Sequence, residues 1–152
     1  MATGLRFGFV AAAPALIAPL ERAIRATSWN TAGVLTAIAC AWIEDGTVAR
    51  LEAQKRADTA RRQAMVTRAL RGLPMVRHPH SYFVWLPLGD DQRADRIAAT
   101  LLQRGVTVST AEAFATTTHV PQALRVALGS VAVDELPHAL ALVRQAVEQD
   151  SS

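Results

Sequence analysis

Two arginines stand in apolar surroundings where a charge is expensive: Arg6 in GLRFGF and Arg125 in ALRVALG. Both stretches have the composition of buried strands, and a guanidinium taken out of water is costly unless it is paired. Arginine's planar fork suits bidentate capture of a carboxylate or a phosphate. Each of the two is therefore either matched to an acid within the fold or held ready for an anion.

Other chemistries lack their residues. His78 and His80 form an HPH pair ahead of a strand, and strand alternation would put both on one face. No Cys, Asp or Glu lies near enough in sequence to complete a tetrahedral set, so no metal site is expected, and His119 and His138 are equally isolated. Ser81, Ser109 and Ser130 have neither a G-x-S-x-G elbow nor a legible His or Asp relay. Cys40, the single cysteine, sits in the apolar TAIACAWIEDG and is expected in the core. No Walker loop or dinucleotide fingerprint occurs. Fifteen of the sixteen basic residues are arginine, which leaves Lys55 as the one side-chain amine, in a charged helical stretch where a solvated role is expected. No catalytic residue is assigned.

The chain that must position these arginines has 152 residues, 51% of them hydrophobic, enough for one ordinary packed domain. One cysteine excludes a disulfide framework and fits a reducing, cytoplasmic setting. The net charge of +3 comes from arginines scattered along several segments, a weak basis for nucleic-acid binding. The N-terminal apolar run could pass for a signal peptide, but Pro14 and Pro19 interrupt it and it is too short to span a bilayer. The expected structure there is a buried strand, RFGFVAA, then a helix with Pro14 in its first turn.

Leu16, Leu20 and Ile24 recur at fourfold spacing in that helix. TAGVLTAIACAWIEDG predicts a second, strongly apolar helix, buried on most of its circumference and ending at Gly46. Residues 47 to 71 are good helix formers without proline or glycine, and their arginines predict a solvated face. Beyond Gly72 come strands in MVRH and YFVWLPL, a helix in DDQRADRIAATLLQRG with an aspartate N-cap and a glycine C-cap, and strands in VTVST and LRVALGS. A last helix starts at an Asp134 cap, with Leu136, Leu140, Val143 and Val147 on one face. The order β, β, α, β, β, α predicts an α+β layer, a small sheet with helices on one face.

Taken in order, these segments resemble the C-terminal part of the fold-type-I, pyridoxal-phosphate-dependent aminotransferases of class I and II. GLRFGFVAAAPALIAPL is similar to the segment after the family's Schiff-base lysine. AIACAWIEDG with RLEAQKRADTARRQAM is similar to the connection between the large and small domains. HSYFVWLPL, LLQRGVTVSTAEAF and ALRVALGS are similar to successive small-domain strands. Within the family, ATSWNTAGVLTAIACAWIEDG and HPHSYFVWLPL most resemble the aminotransferase-like domain of MocR-type regulators of the GntR superfamily.

The resemblance implies a division into residues 1–46, a strand-helix remnant of the α/β, PLP-binding large domain; residues 47–71, a connecting long helix; and residues 72–152, the α+β small domain. It implies pyridoxal 5'-phosphate as cofactor, with Arg6 on its phosphate, and Arg125 on the α-carboxylate of an amino or keto acid. It implies a homodimer for the full-length family, no membrane, and DNA contact only through an upstream winged-helix domain. The Schiff-base lysine lies about seven or eight residues before the phosphate arginine in the family. Here that falls upstream of Met1, so the chain alone is expected to lack transaminase activity. STAEAF stands where relatives often carry a proline-glycine turn before the residue matched by Phe114.

Three functions follow. The first is the effector-binding, PLP-binding part of a MocR-type transcriptional regulator. The second is a fragment of a metabolic aminotransferase that moves an amino group between amino and keto acids. The third is a non-catalytic α+β interaction module with both arginines paired to acids. The helices of residues 14 to 45 are expected to expose apolar surface, because in the family they cover a large domain.

Overall fold

The computed structural model describes residues 6–150, and the chain divides into two units, Met1–Gln54 and Lys55–Ser152. In the first unit Pro14 occupies the first turn of α1 (Pro14–Ser28), where its missing N–H costs nothing. After α2 (Gly33–Glu44), Gly46 turns the chain at φ +75°, a conformation open to glycine because it has no β-carbon. The Asp45 carboxylate then accepts the Thr47 N–H at 2.8 Å and starts α3 (Thr47–Ala69), which crosses the division.

Two expectations fail in this unit. The segment predicted as a strand, RFGFVAA, is irregular: the four strands of the structure pair with one another in the second unit, and no ladder partner faces this one among the described residues. The second helix, expected to be buried, has no buried residue, and Cys40 is exposed rather than in the core. Apolar composition reports what a helix would bury, not that a covering surface is at hand. The apolar exposure expected of residues 14 to 45 is present at Leu16, Ile17, Ile24, Trp29, Val34 and Ile43.

The second unit is an antiparallel sheet of four strands in the order β1-β2-β4-β3, with β1 Val76–Arg77, β2 Phe83–Pro87, β3 Ser109–Thr110 and β4 Ala123–Ala127. Strand alternation divides its two faces. Val84, Leu86, Leu124 and Val126 point to one side and pack with Ile97 and Leu101 of α4 (Ala94–Gln103), with Leu136, Leu140, Val143 and Val147 of α5 (Leu136–Asp150), and with Val66 and Leu70 of α3 and its end. Burying each large aliphatic side chain contributes roughly 1.5–3 kcal/mol. The α+β layer with helices on one face is thus the observed fold.

Local starts and stops depart from expectation where tertiary contacts supply the partner. The N-cap residue of α4 is Arg93 and not the expected local aspartate; Gln122 Oε1 accepts the Ala94 N–H at 2.9 Å and the distant Asp150 carboxylate accepts the Arg93 N–H at 2.7 Å. The C-terminal glycine is as predicted, with Gly105 at φ +79°. The face of α3 assigned to solvent contains buried Thr59, Arg62 and Gln63.

Candidate functional site

Arg125 is central in β4, facing Trp85 of β2 on one side and Ser109 of β3 on the other. Alternation sends its side chain to the sheet face away from α4 and α5, together with those of Phe83 and Trp85. Its guanidinium carbon lies 4.6 Å from the centroid of the Phe83 ring and 4.3 Å from that of Phe114. Phe114 ends the 3-10 helix Ala111–Phe114 that follows β3, and its ring meets Trp85 edge to face at 6.5 Å.

Among the described residues Arg125 forms no hydrogen bond or ion pair, and its Nε is buried without an acceptor. An orphaned buried donor costs about 1–3 kcal/mol. Each aromatic contact returns about 0.5–2 kcal/mol, so the rings offset the desolvation without neutralising the charge. The alternative in which Arg125 is matched to an acid therefore has no support in the geometry. The arrangement can receive an anion: a full positive charge, aromatic walls, and no competing carboxylate.

Arg6 is exposed in an irregular segment and, among the described residues, has no bonded partner. It belongs to the first unit and Arg125 to the second. The histidine pair is not on a strand: Ser81 N–H donates to the His78 carbonyl, His80 N–H donates to His78 Nδ1, and the two rings sit edge to face at 5.7 Å. Among the described residues no group of three or more His, Cys, Asp or Glu could hold a metal. Lys55 is exposed, its Nζ 5.3 Å from the Tyr82 ring centroid.

A partly buried polar cluster on α3 went unread in the sequence. Arg62 Nε donates to Asp58 at 2.8 Å, and its Nη1 donates to the carbonyls of Leu128 at 2.6 Å and Val131 at 2.9 Å. Tyr82 donates its hydroxyl to the same Asp58 carboxylate at 2.9 Å. Burial pushes the Asp58 carboxyl up, but the bonds from Arg62, Tyr82 and Arg61 outweigh it and hold the pKa below the ordinary value. Burial, then the Asp58 bond, raises that of Tyr82. Gln63 Nε2 donates to the carbonyls of Ser81 and Phe83 at 2.8 and 3.2 Å, fixing the entry to β2. The available signal was spacing: Thr59, Arg62, Gln63, Val66 and Leu70 share one helical face, anchored by two aliphatics.

A cavity of about 330 Å³ lies elsewhere, lined by Arg93, Asp95, Glu112 and Gln122 among others. Arg93 already pairs with Asp95 at 3.2 Å, and Gln122 is committed to capping α4. It therefore presents nothing comparable to the free guanidinium of Arg125. Among the described residues no helix is long and apolar enough to cross a membrane.

The model of the family "aminotransferase class I and II" matches residues 1–143. No curated protein sequence matches the chain. Among solved structures, LysN, the α-aminoadipate aminotransferase of Thermus thermophilus, superposes with a TM-score of 0.81 at 18% identity, over 97% of this chain and 39% of that one. The kynurenine aminotransferase of Pyrococcus horikoshii gives 0.80 at 18% identity over 91% of this chain and 36% of that one. An archaeal alanine:glyoxylate aminotransferase gives 0.76 at 17% identity over 97% and 38%. The chain thus spans less than two-fifths of the length of these structures, which share its fold. With a family model that matches residues 1–143, this chain belongs to the class I and II aminotransferase family.

Proposed function

We propose that this chain is the C-terminal portion of an aminotransferase-like domain in which Arg125 grips the α-carboxylate of an amino or keto acid. The observation that carries the proposal is the uncommitted guanidinium of Arg125, charged, walled by Phe83 and Phe114, and bonded to nothing among the described residues. A carboxylate matches that fork in charge and geometry. Residues 1–46 are assigned to the large domain, 47–71 to the connecting helix and 72–152 to the small domain.

Pyridoxal 5'-phosphate is the cofactor of this reading. Arg6, exposed and unpartnered among the described residues, fits a dianionic phosphate. When bound, the cofactor supplies an electron sink for amino-group chemistry. The chain's own share is anchoring: Arg6 on the phosphate and Arg125 on the substrate carboxylate. Its single lysine, Lys55, leans on the Tyr82 ring from α3, a structural position rather than a nucleophile's. The chain alone is therefore assigned no transaminase activity.

The resemblance of ATSWNTAGVLTAIACAWIEDG and HPHSYFVWLPL to MocR-type regulators supports an effector-sensing role, with DNA bound through a winged-helix domain elsewhere in the protein. A metabolic aminotransferase is the second reading, favoured by the enzymes named above as structural neighbours. The translated genomic sequence upstream separates them: a winged helix and linker support the regulator, an aminotransferase large domain alone the enzyme. Calorimetric titration of the chain with pyruvate tests the site itself. Saturable binding lost in Arg125→Leu supports the carboxylate grip; equal binding by both proteins overturns it.

A further inference from the structure

We infer that Phe83 and Phe114 are positioning residues that clamp the Arg125 guanidinium and leave one edge of it open, so that an incoming carboxylate is met end-on by the Nη pair. The inference rests on the carboxylate-binding reading above and adds to it the groups that fix the direction of approach.

The geometry comes from the two neighbours of β4. Phe83 belongs to β2, which pairs with one side of β4 through Phe83 and Ala127; Phe114 arrives from the segment after β3, which pairs with the other side. Two rings from opposite flanks both stand over the guanidinium, at 4.6 and 4.3 Å. A guanidinium attracts ring faces to its own flat faces, and its hydrogen bonds lie in its plane. Rings so placed cover the faces and leave in-plane contacts to a ligand. Nε is already out of solvent and unpartnered, whereas the Nη nitrogens, equally unpartnered among the described residues, are not buried. The reachable edge is the outer one.

Each ring is itself held. Gln63 bonds the Phe83 carbonyl from α3, and Trp85 braces the Phe114 ring edge to face at 6.5 Å. A free arginine side chain samples many rotamers, most of which a ligand must otherwise freeze out. A clamp that freezes it beforehand tightens binding without touching the ligand. Thr110 and Ala111 form the start of the turn that delivers Phe114, so the ring reaches Arg125 without a proline-glycine pair.

Side-chain NMR of the full chain tests this without presupposing a ligand. In the wild type the Arg125 Nε–H resonance is expected upfield of the other arginines from the ring currents, with slowed rotation about Nε–Cζ. Phe83→Leu and Phe114→Leu should each move it toward the ordinary position, and Phe114→Tyr should restore it; dispersed backbone amides in every variant show that the fold persists. Pyruvate affinity should weaken about tenfold in either leucine variant and recover in the tyrosine variant. An unshifted wild-type resonance, or one unmoved by both leucine substitutions, overturns the clamp. A shift lost in the leucine variants with unchanged pyruvate affinity overturns the positioning role. A ring-shifted resonance in a wild type that binds no pyruvate supports the clamp and overturns the carboxylate reading instead.

Discussion

Arg62 on α3 donates from Nη1 to the carbonyl of Leu128 at 2.6 Å, just past the end of the strand that carries Arg125. The same nitrogen reaches the Val131 carbonyl at 2.9 Å, and Nε is tied to Asp58. One guanidinium thus gathers the exit of β4 onto the helix, in contrast to Arg125, which bonds to nothing among the described residues. Arg62→Ala would leave the Leu128 and Val131 carbonyls without this donor and the Asp58 carboxylate with only Tyr82 and Arg61, so a loss of about 3 kcal/mol in urea denaturation is expected. Arg62→Lys should recover only part, because an ammonium cannot span the three acceptors in arginine's fork geometry.

These two arginines also show what could be read from the chain and what could not. The alternation in YFVWLPL and LRVALGS was legible, since period-2 burial is imposed by the backbone, and Arg125 then had to face away from the apolar side. That Phe83 and Phe114 would close on it was not, because the contact joins residues of three different segments. Arg62 was misjudged for a related reason: composition describes α3 as charged, while burial follows which face meets the sheet. α2 failed in the opposite sense, mostly apolar yet without a buried residue.

Asp58 should set the acid limit of the second unit. Its carboxyl titrates below the ordinary 3.8 in the folded chain, so the unfolded chain takes the proton first. The stability it contributes is complete above the unfolded value and drains as pH falls through the folded one. Asp58→Asn is expected to cost about 1–2 kcal/mol at neutral pH, with the difference from wild type shrinking in acid below pH 3.8. Urea midpoints measured from neutral pH downwards check this; parallel curves would contradict it.

Removing the charge at Arg125 should separate stability from binding. Arg125→Leu removes a buried Nε that has no acceptor and gives up two cation–π contacts, terms of similar size and opposite sign. The urea midpoint is expected to change by less than about 1 kcal/mol equivalent while pyruvate binding is lost. A large loss of stability would mean that the arginine is held for the fold.

Gln63 should behave as a tie rather than as filler. It is almost fully buried, and its amide nitrogen serves the carbonyls of Ser81 and Phe83, which no neighbouring helix residue replaces. Gln63→Leu keeps most of the volume and removes the donor together with a buried Oε1 that has no partner, so the expected cost is about 1 kcal/mol. Gln63→Glu should cost more at neutral pH and recover in mild acid, where the protonated carboxyl can donate again; thermal melts at two pH values distinguish the pair.

The first unit should drive self-association. Phe9 is 84% exposed and Trp29 78%, and α2 adds Val34 and Ile43 at 65% and 61%, with no buried residue between them. Isolated exposed aliphatics are ordinary, but so many large apolar side chains in water within residues 9–43 favour burial against another molecule. Sedimentation velocity is expected to show concentration-dependent species larger than the 16.3 kDa monomer. The double substitution of Val34→Lys and Ile43→Lys places two like charges on α2, where they cost little because both sites are already in solvent, and should shift the distribution toward monomer. Because the core of the second unit lies in residues 66–147, its urea midpoint should be unchanged by the pair. A wild-type chain that sediments as one sharp monomer at all concentrations would show that these side chains do not act as a contact surface.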